Sequence, residues 1–129
     1  MKLSTRYGLV GIGALALLST VHWLRELHAV WPPIGSYLIG VMPNVAAAIA
    51  VPFVFIGIWA DQRPNAAPAT LWRSFLAALN ISFAGLIAWE LSQLGPKGLV
   101  FDENDLAATL VGTMVALGLF RVMTPRADA

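Results

Sequence analysis

The sequence predicts an all-α membrane protein, four transmembrane helices in an antiparallel bundle with both termini in the cytoplasm. Three observations carry this. The chain is 58% hydrophobic and 12% charged, where soluble domains carry about 25% charged residues. Its apolar residues fall into four runs, each close to the roughly 20 residues that a bilayer crossing needs. The breaks between the runs are short and punctuated by proline and glycine. The mean hydropathy of +0.73 agrees, and the 129 residues form a single integral membrane domain, 1–129.

The first helix is expected over Tyr7 to Leu27. Lys2 and Arg6 precede the apolar stretch Leu9 to Leu18, as they would in a signal peptide. However, the Ala14-Leu15-Ala16 pattern lies too early for cleavage, and the apolar character continues to Trp23 and Leu24, so the helix is expected to stay attached. The second helix is placed at Ile34 to Ala60, with Pro43 and Pro52 inside it. Each proline removes a backbone donor, and the carbonyl it frees needs another partner. The third helix is placed at Leu71 to Leu94. The fourth spans about 105–123, its apolar run starting at Leu106. Short connections favour up-and-down neighbours. Ala84 with Ala88, and Ala108, Gly112 and Ala116, form small-residue rows that let helices approach closely.

Orientation follows from the basic residues. Lys2, Arg6, Arg63, Arg73, Arg121 and Arg126 lie at the end shared by the termini and the middle loop. Only Arg25 and Lys97 lie at the other end. Six against two puts the termini on the cytoplasmic side of a plasma (inner) membrane, as a multi-pass protein. Trp59 and Trp72 would mark the inner interface, and Trp23, Trp31 and Trp89 the outer one. The acids lean outward: Glu26, Glu90, Asp102, Glu103 and Asp105.

Several function classes drop out. With no cysteine there is no disulfide, thiol catalysis or thiolate metal site. A net charge of +1 offers no surface for nucleic acid. His22 and His28 lie near one helix end rather than facing each other from two helices, so neither haem nor another metal or cofactor is expected. No nucleophile motif, metal cluster or phosphate-cradling glycine loop is present, which makes an enzyme the less favoured class.

What remains is Trp89-Glu90-Leu91-Ser92-Gln93. A carboxylate on an apolar helix costs roughly 2.5–3.5 kcal/mol at mid-bilayer and less near the interface. Glu90 and Gln93 share one helix face, which should point into the bundle or a wet vestibule. The fourth helix begins at the same height, so Asp102 and Asp105 can gather there with them. His22 and Arg25, ending the first helix, and Asn44, in the outer half of the second, can complete an outer acidic crevice. Simpler roles exist for each. Asp102 and Asp105 suit a helix N-cap and an acidic first turn. Glu90 and Gln93 suit interhelical hydrogen bonds or pairing with Arg25, and Asn44 suits packing.

These residues resemble a known signature. Glu90-x-x-Gln93, followed by Phe101-Asp102-x-x-Asp105-x-x-Ala108-Thr109-x-x-Gly112, looks like that of the VanZ-like membrane proteins. There, a Glu-x-x-Gln late in one helix precedes an Asp-x-x-Ala-Asn-x-x-Gly opening the next. Gly35-Ser36 and Leu38 to Ala48, with Met42-Pro43-Asn44, are similar to a variant of that family, so the likeness covers roughly residues 35–112. Thr109 stands where the family usually has Asn, and Lys97 is the only cation in an interval where relatives often carry arginine. The resemblance implies a polytopic envelope protein in a family named for members linked to glycopeptide-antibiotic resistance, with no settled reaction. It brings Thr109 into the candidate crevice.

The leading expectation is a non-enzymatic binding or accessory protein of the cell envelope. Its acceptors would take a cationic or amide-rich group on a membrane lipid, a lipid-linked envelope precursor or a protein partner. One alternative is an enzyme acting on a lipid-linked envelope substrate with Glu90 as acid or base. Another is a small structural subunit of a larger membrane protein complex.

Overall fold

Each apolar run folds as a helix in the computed structural model, which describes residues 1–94 and 102–126. The helices are α1 (Leu3–Glu26), α2 (Pro33–Asp61), α3 (Pro68–Ser92) and α4 (Glu103–Met123). All four are long and apolar enough to cross a membrane. Lys97 and Phe101 lie outside the described residues.

The helix starts follow local chemistry rather than hydropathy. α2 begins at Pro33 instead of Ile34, and α3 at Pro68 instead of Leu71. Proline has no N–H to leave unsatisfied in a first turn, and its φ is already helical. α1 begins at Leu3 rather than Tyr7, because its polar first residues continue the helix past the apolar run. α3 ends at Ser92 rather than Leu94. Asp102 caps α4: its Oδ1 accepts from the Asn104 backbone N–H at 2.8 Å. Glu103 and Asp105 add negative charge to that first turn, where the helix dipole favours it.

α2 is the hub. α1 lies along it most extensively, α4 next and α3 least, while α1 barely meets α4 and, among the described residues, does not meet α3. In cross-section this is a rhombus with α2 and α4 on the short diagonal. Small residues set that shape. A Cβ on Gly112 of α4 would lie 2.6 Å from the Val45 carbonyl oxygen of α2. On Gly11 of α1 it would lie 2.9 Å from the Val54 backbone nitrogen. Without a hydrophobic drive between helices in lipid, close backbone approach and van der Waals contact hold such pairs together.

The two ends of the bundle differ in chemistry. At the termini end, Tyr7, Phe53, Ile56, Leu71, Phe75, Leu79 and Phe120 form a core drawn from all four helices. Phe75 and Phe120 stack with centroids 3.9 Å apart, and Trp72 meets Phe120 edge-on at 4.9 Å. The Tyr7 hydroxyl and Thr124 Oγ1 share a buried hydrogen bond of 2.7 Å, which ties the chain's two ends together. The opposite end holds the candidate site residues, and no comparable aromatic cluster forms there among the described residues.

Candidate functional site

The polar end is organised around a proline. Pro43 has no N–H, so the Ile39 carbonyl four residues earlier loses its helical donor. Arg25, in the last turn of α1, supplies the replacement. Its Nε and Nη2 donate to the Ile39 oxygen at 3.2 and 2.9 Å, and Nη2 also donates to the Gly40 oxygen at 2.8 Å. Hydrogen bonds from a charged donor contribute about 1.5–3 kcal/mol. Arg25 is thereby engaged with the α2 backbone, where pairing with Glu90 stood as one simpler alternative. α1 packs on α2 and does not reach α3, and the nearest strong acceptors for the guanidinium are the carbonyls that the proline exposes.

Glu90 occupies the last turn of α3 with 3% of its surface exposed. Its Oε2 has no hydrogen-bond partner. Among the described residues, the charged neighbours of Glu90 are Asp105 and Asp102, in the first turn and N-cap of α4. Asp105 in turn interacts with Asp102, the Asn44 side chain of α2 and the Arg25 charge. Four helices thus contribute to one cluster: Arg25, Asn44, Glu90, and the Asp102–Asp105 pair. The pair keeps its capping work, since Asp102 Oδ1 also accepts from Asn104 Nδ2 at 2.9 Å.

Thr109 lies one turn deeper on α4 and is fully buried. Its hydroxyl donates to the Asp105 carbonyl at 2.9 Å, so it braces the helix beneath the cluster. Gln93 forms the C-cap of α3, its N–H bonded to the Glu90 carbonyl at 3.1 Å, and its side chain is half-buried. His22 is the remaining α1 candidate. It is exposed, and its Nδ1 is 2.9 Å from the Leu18 carbonyl of its own helix. The α1 positions that turn inward include Tyr7, Ala14 and Val21, and His22 lies one residue round from that face.

Among the described residues, no three His, Asp or Glu side chains come close enough to share an ion. What the cluster offers is carboxylate oxygens, an amide from Asn44 and a guanidinium already engaged with backbone. Asn80 and Ser82, in the middle of α3, stay outside it. Asn80 is exposed and donates to the Leu76 carbonyl at 2.7 Å, whereas Ser82 is buried with its hydroxyl unpartnered.

The Arg25 clamp is the functional feature that sequence reasoning missed. The signal was present, because Pro43 identifies Ile39 as the orphaned carbonyl by simple subtraction. Arg25 is one of only two cations at that end. No family model matches the chain, and neither does any curated protein or solved structure.

Proposed function

We propose that this chain is a VanZ-like protein of the plasma membrane whose acidic crevice binds a cationic or amide-bearing group without transforming it. The observation that carries the reading is Glu90, 3% exposed, with one carboxyl oxygen unpartnered beside Asp102 and Asp105. Burying a carboxyl group among other carboxylates is unfavourable in the empty protein. An ammonium or amide ligand supplies the missing donors. The Thr109 hydroxyl is bound to backbone, so the cluster is rich in acceptors and poor in nucleophiles.

The excess of arginine and lysine at the termini end supports a cytoplasmic position for both termini. The crevice then opens to the outer leaflet. Lipid-linked envelope precursors that carry free amines and amides fit it chemically, and an accessory role in envelope or glycopeptide-antibiotic response follows from the family likeness.

The test is titration of the detergent-solubilised protein with a lysyl peptide amide, followed by NMR of the Asn44 side-chain amide. Wild type should show a saturable shift. Glu90→Gln should weaken binding about tenfold or more, as loss of a charged hydrogen bond implies, while helix content stays unchanged. Binding that survives both Glu90→Gln and Gln93→Ala would sink the crevice reading.

A further inference from the structure

At the opposite end of the bundle, a cavity of about 400 Å³ lies between the start of α1 and the α2–α3 connection. Its floor is apolar, formed by Leu3, Ala60 and Leu71. Its rim carries two cations and one carboxylate, Lys2, Arg63 and Asp61. Two of the three are tethered. Asp61 Oδ1 accepts from the Ser4 hydroxyl at 3.2 Å. The Arg63 guanidinium lies 4.8 Å from the centroid of the Trp59 ring, a cation–π distance. α1 begins and α2 ends here, so the cavity sits where a bilayer passes from hydrocarbon to headgroups, with Trp59 as an interfacial aromatic.

We propose that this cavity seats a phospholipid headgroup carrying a primary ammonium, of the phosphatidylethanolamine type. The phosphate meets Lys2 and Arg63, the ammonium meets Asp61, and the glycerol end of the acyl chains rests on Leu3, Ala60 and Leu71. The first turn of α1, which has no side-chain cap, adds backbone donors on the phosphate side. The charge pattern selects among headgroups. An anionic glycerol headgroup leaves Asp61 facing negative charge. A choline headgroup brings a cation with no N–H for the carboxylate to accept. A headgroup with both a phosphate and an N–H-bearing ammonium meets all three rim charges and also donates a hydrogen bond to Asp61.

The test uses the full chain in nanodiscs containing equal parts of phosphatidylethanolamine, phosphatidylcholine and phosphatidylglycerol, with retained lipid read by native mass spectrometry after gentle release. Wild type should retain phosphatidylethanolamine about threefold over either competitor, the scale of one exposed ionic contact. Asp61→Asn should erase the preference over phosphatidylcholine, and Ser4→Ala, which frees the Asp61 carboxylate, should reduce it. The Lys2→Ala/Arg63→Ala double variant should lower retention of all three lipids. Millimolar inorganic phosphate should displace none of them. Equal retention by wild type, preference for phosphatidylglycerol, an unchanged preference in Asp61→Asn, or displacement by inorganic phosphate would each overturn the assignment.

Discussion

Arg25 donates twice to the Ile39 carbonyl, at 2.9 and 3.2 Å, and so replaces the backbone donor that Pro43 removes. A helix broken at one residue is repaired by a side chain from its neighbour. The repair also positions the cluster, because Asn44 follows Pro43 directly and faces Asp105.

This repair makes the cost of losing Arg25 depend on Pro43. Arg25→Ala should destabilise the protein by about 1–2 kcal/mol, since it removes the charged donor that serves the Ile39 and Gly40 carbonyls. Pro43→Ala restores the N–H, and in that background Arg25→Ala should cost at least about 1 kcal/mol less. Unfolding in mixed micelles of the two single variants and the double variant reads the difference. Strictly additive costs would show that Arg25 acts elsewhere.

Gly112 and Gly118 sit on the same helix and should respond oppositely to a methyl group. At Gly112 a Cβ meets the Val45 carbonyl oxygen at 2.6 Å and the Ala48 Cβ at 2.8 Å, whereas at Gly118 it meets nothing within 4 Å. Gly112→Ala should therefore cost about 1–3 kcal/mol through overpacking against backbone. Gly118→Ala should be neutral or stabilising by up to about 1 kcal/mol from helix propensity. The same unfolding assay checks the sign of each.

The Tyr7–Thr124 hydrogen bond should show the asymmetry of buried polar pairs. Tyr7→Phe leaves a buried Thr124 hydroxyl without its partner and should cost about 1–3 kcal/mol. Tyr7→Phe combined with Thr124→Val removes both polar groups and should recover a good part of that loss. A double variant as unstable as the sum of its parts would mean that the ring packing, not the bond, holds the termini together.

Topology can be read from single cysteines, because the native chain has none. Val30→Cys, at a fully exposed position between α1 and α2, should react with an impermeant thiol reagent added outside intact cells. Asn65→Cys, between α2 and α3, should react only after the membrane is opened. The reverse pattern would invert the orientation inferred from the basic residues.

The number, order and approximate limits of the helices were legible because hydropathy and proline report depth along each crossing. Depth also put Glu90, Asp102, Asp105 and Asn44 at one level in the sequence reading. Rotation about the helix axis was not legible in the same way, since a helix that is apolar all round does not declare an inner face. That is why His22, at the right height, lies outside the cluster. It is also why the partner of Arg25, the Ile39 carbonyl, was not legible. Its choice depends on which helix α1 leans against, a property of Gly8, Gly11 and Gly57 packing and not of charge.

The central place of α2 also dictates an order of assembly. α1 and α2 leave the ribosome first and can pair before the rest of the chain is made, through the contacts of Gly11 with Val54 and of Gly57 with Gly8. α4 leaves last, and until it arrives the α2 surface around Val45 and Ala48 has no helix to cover it. Only then can Thr124 reach Tyr7 and latch the first helix to the last. A chain halted before α4 would carry an open seam along its middle helix, a feature that membrane quality control can recognise.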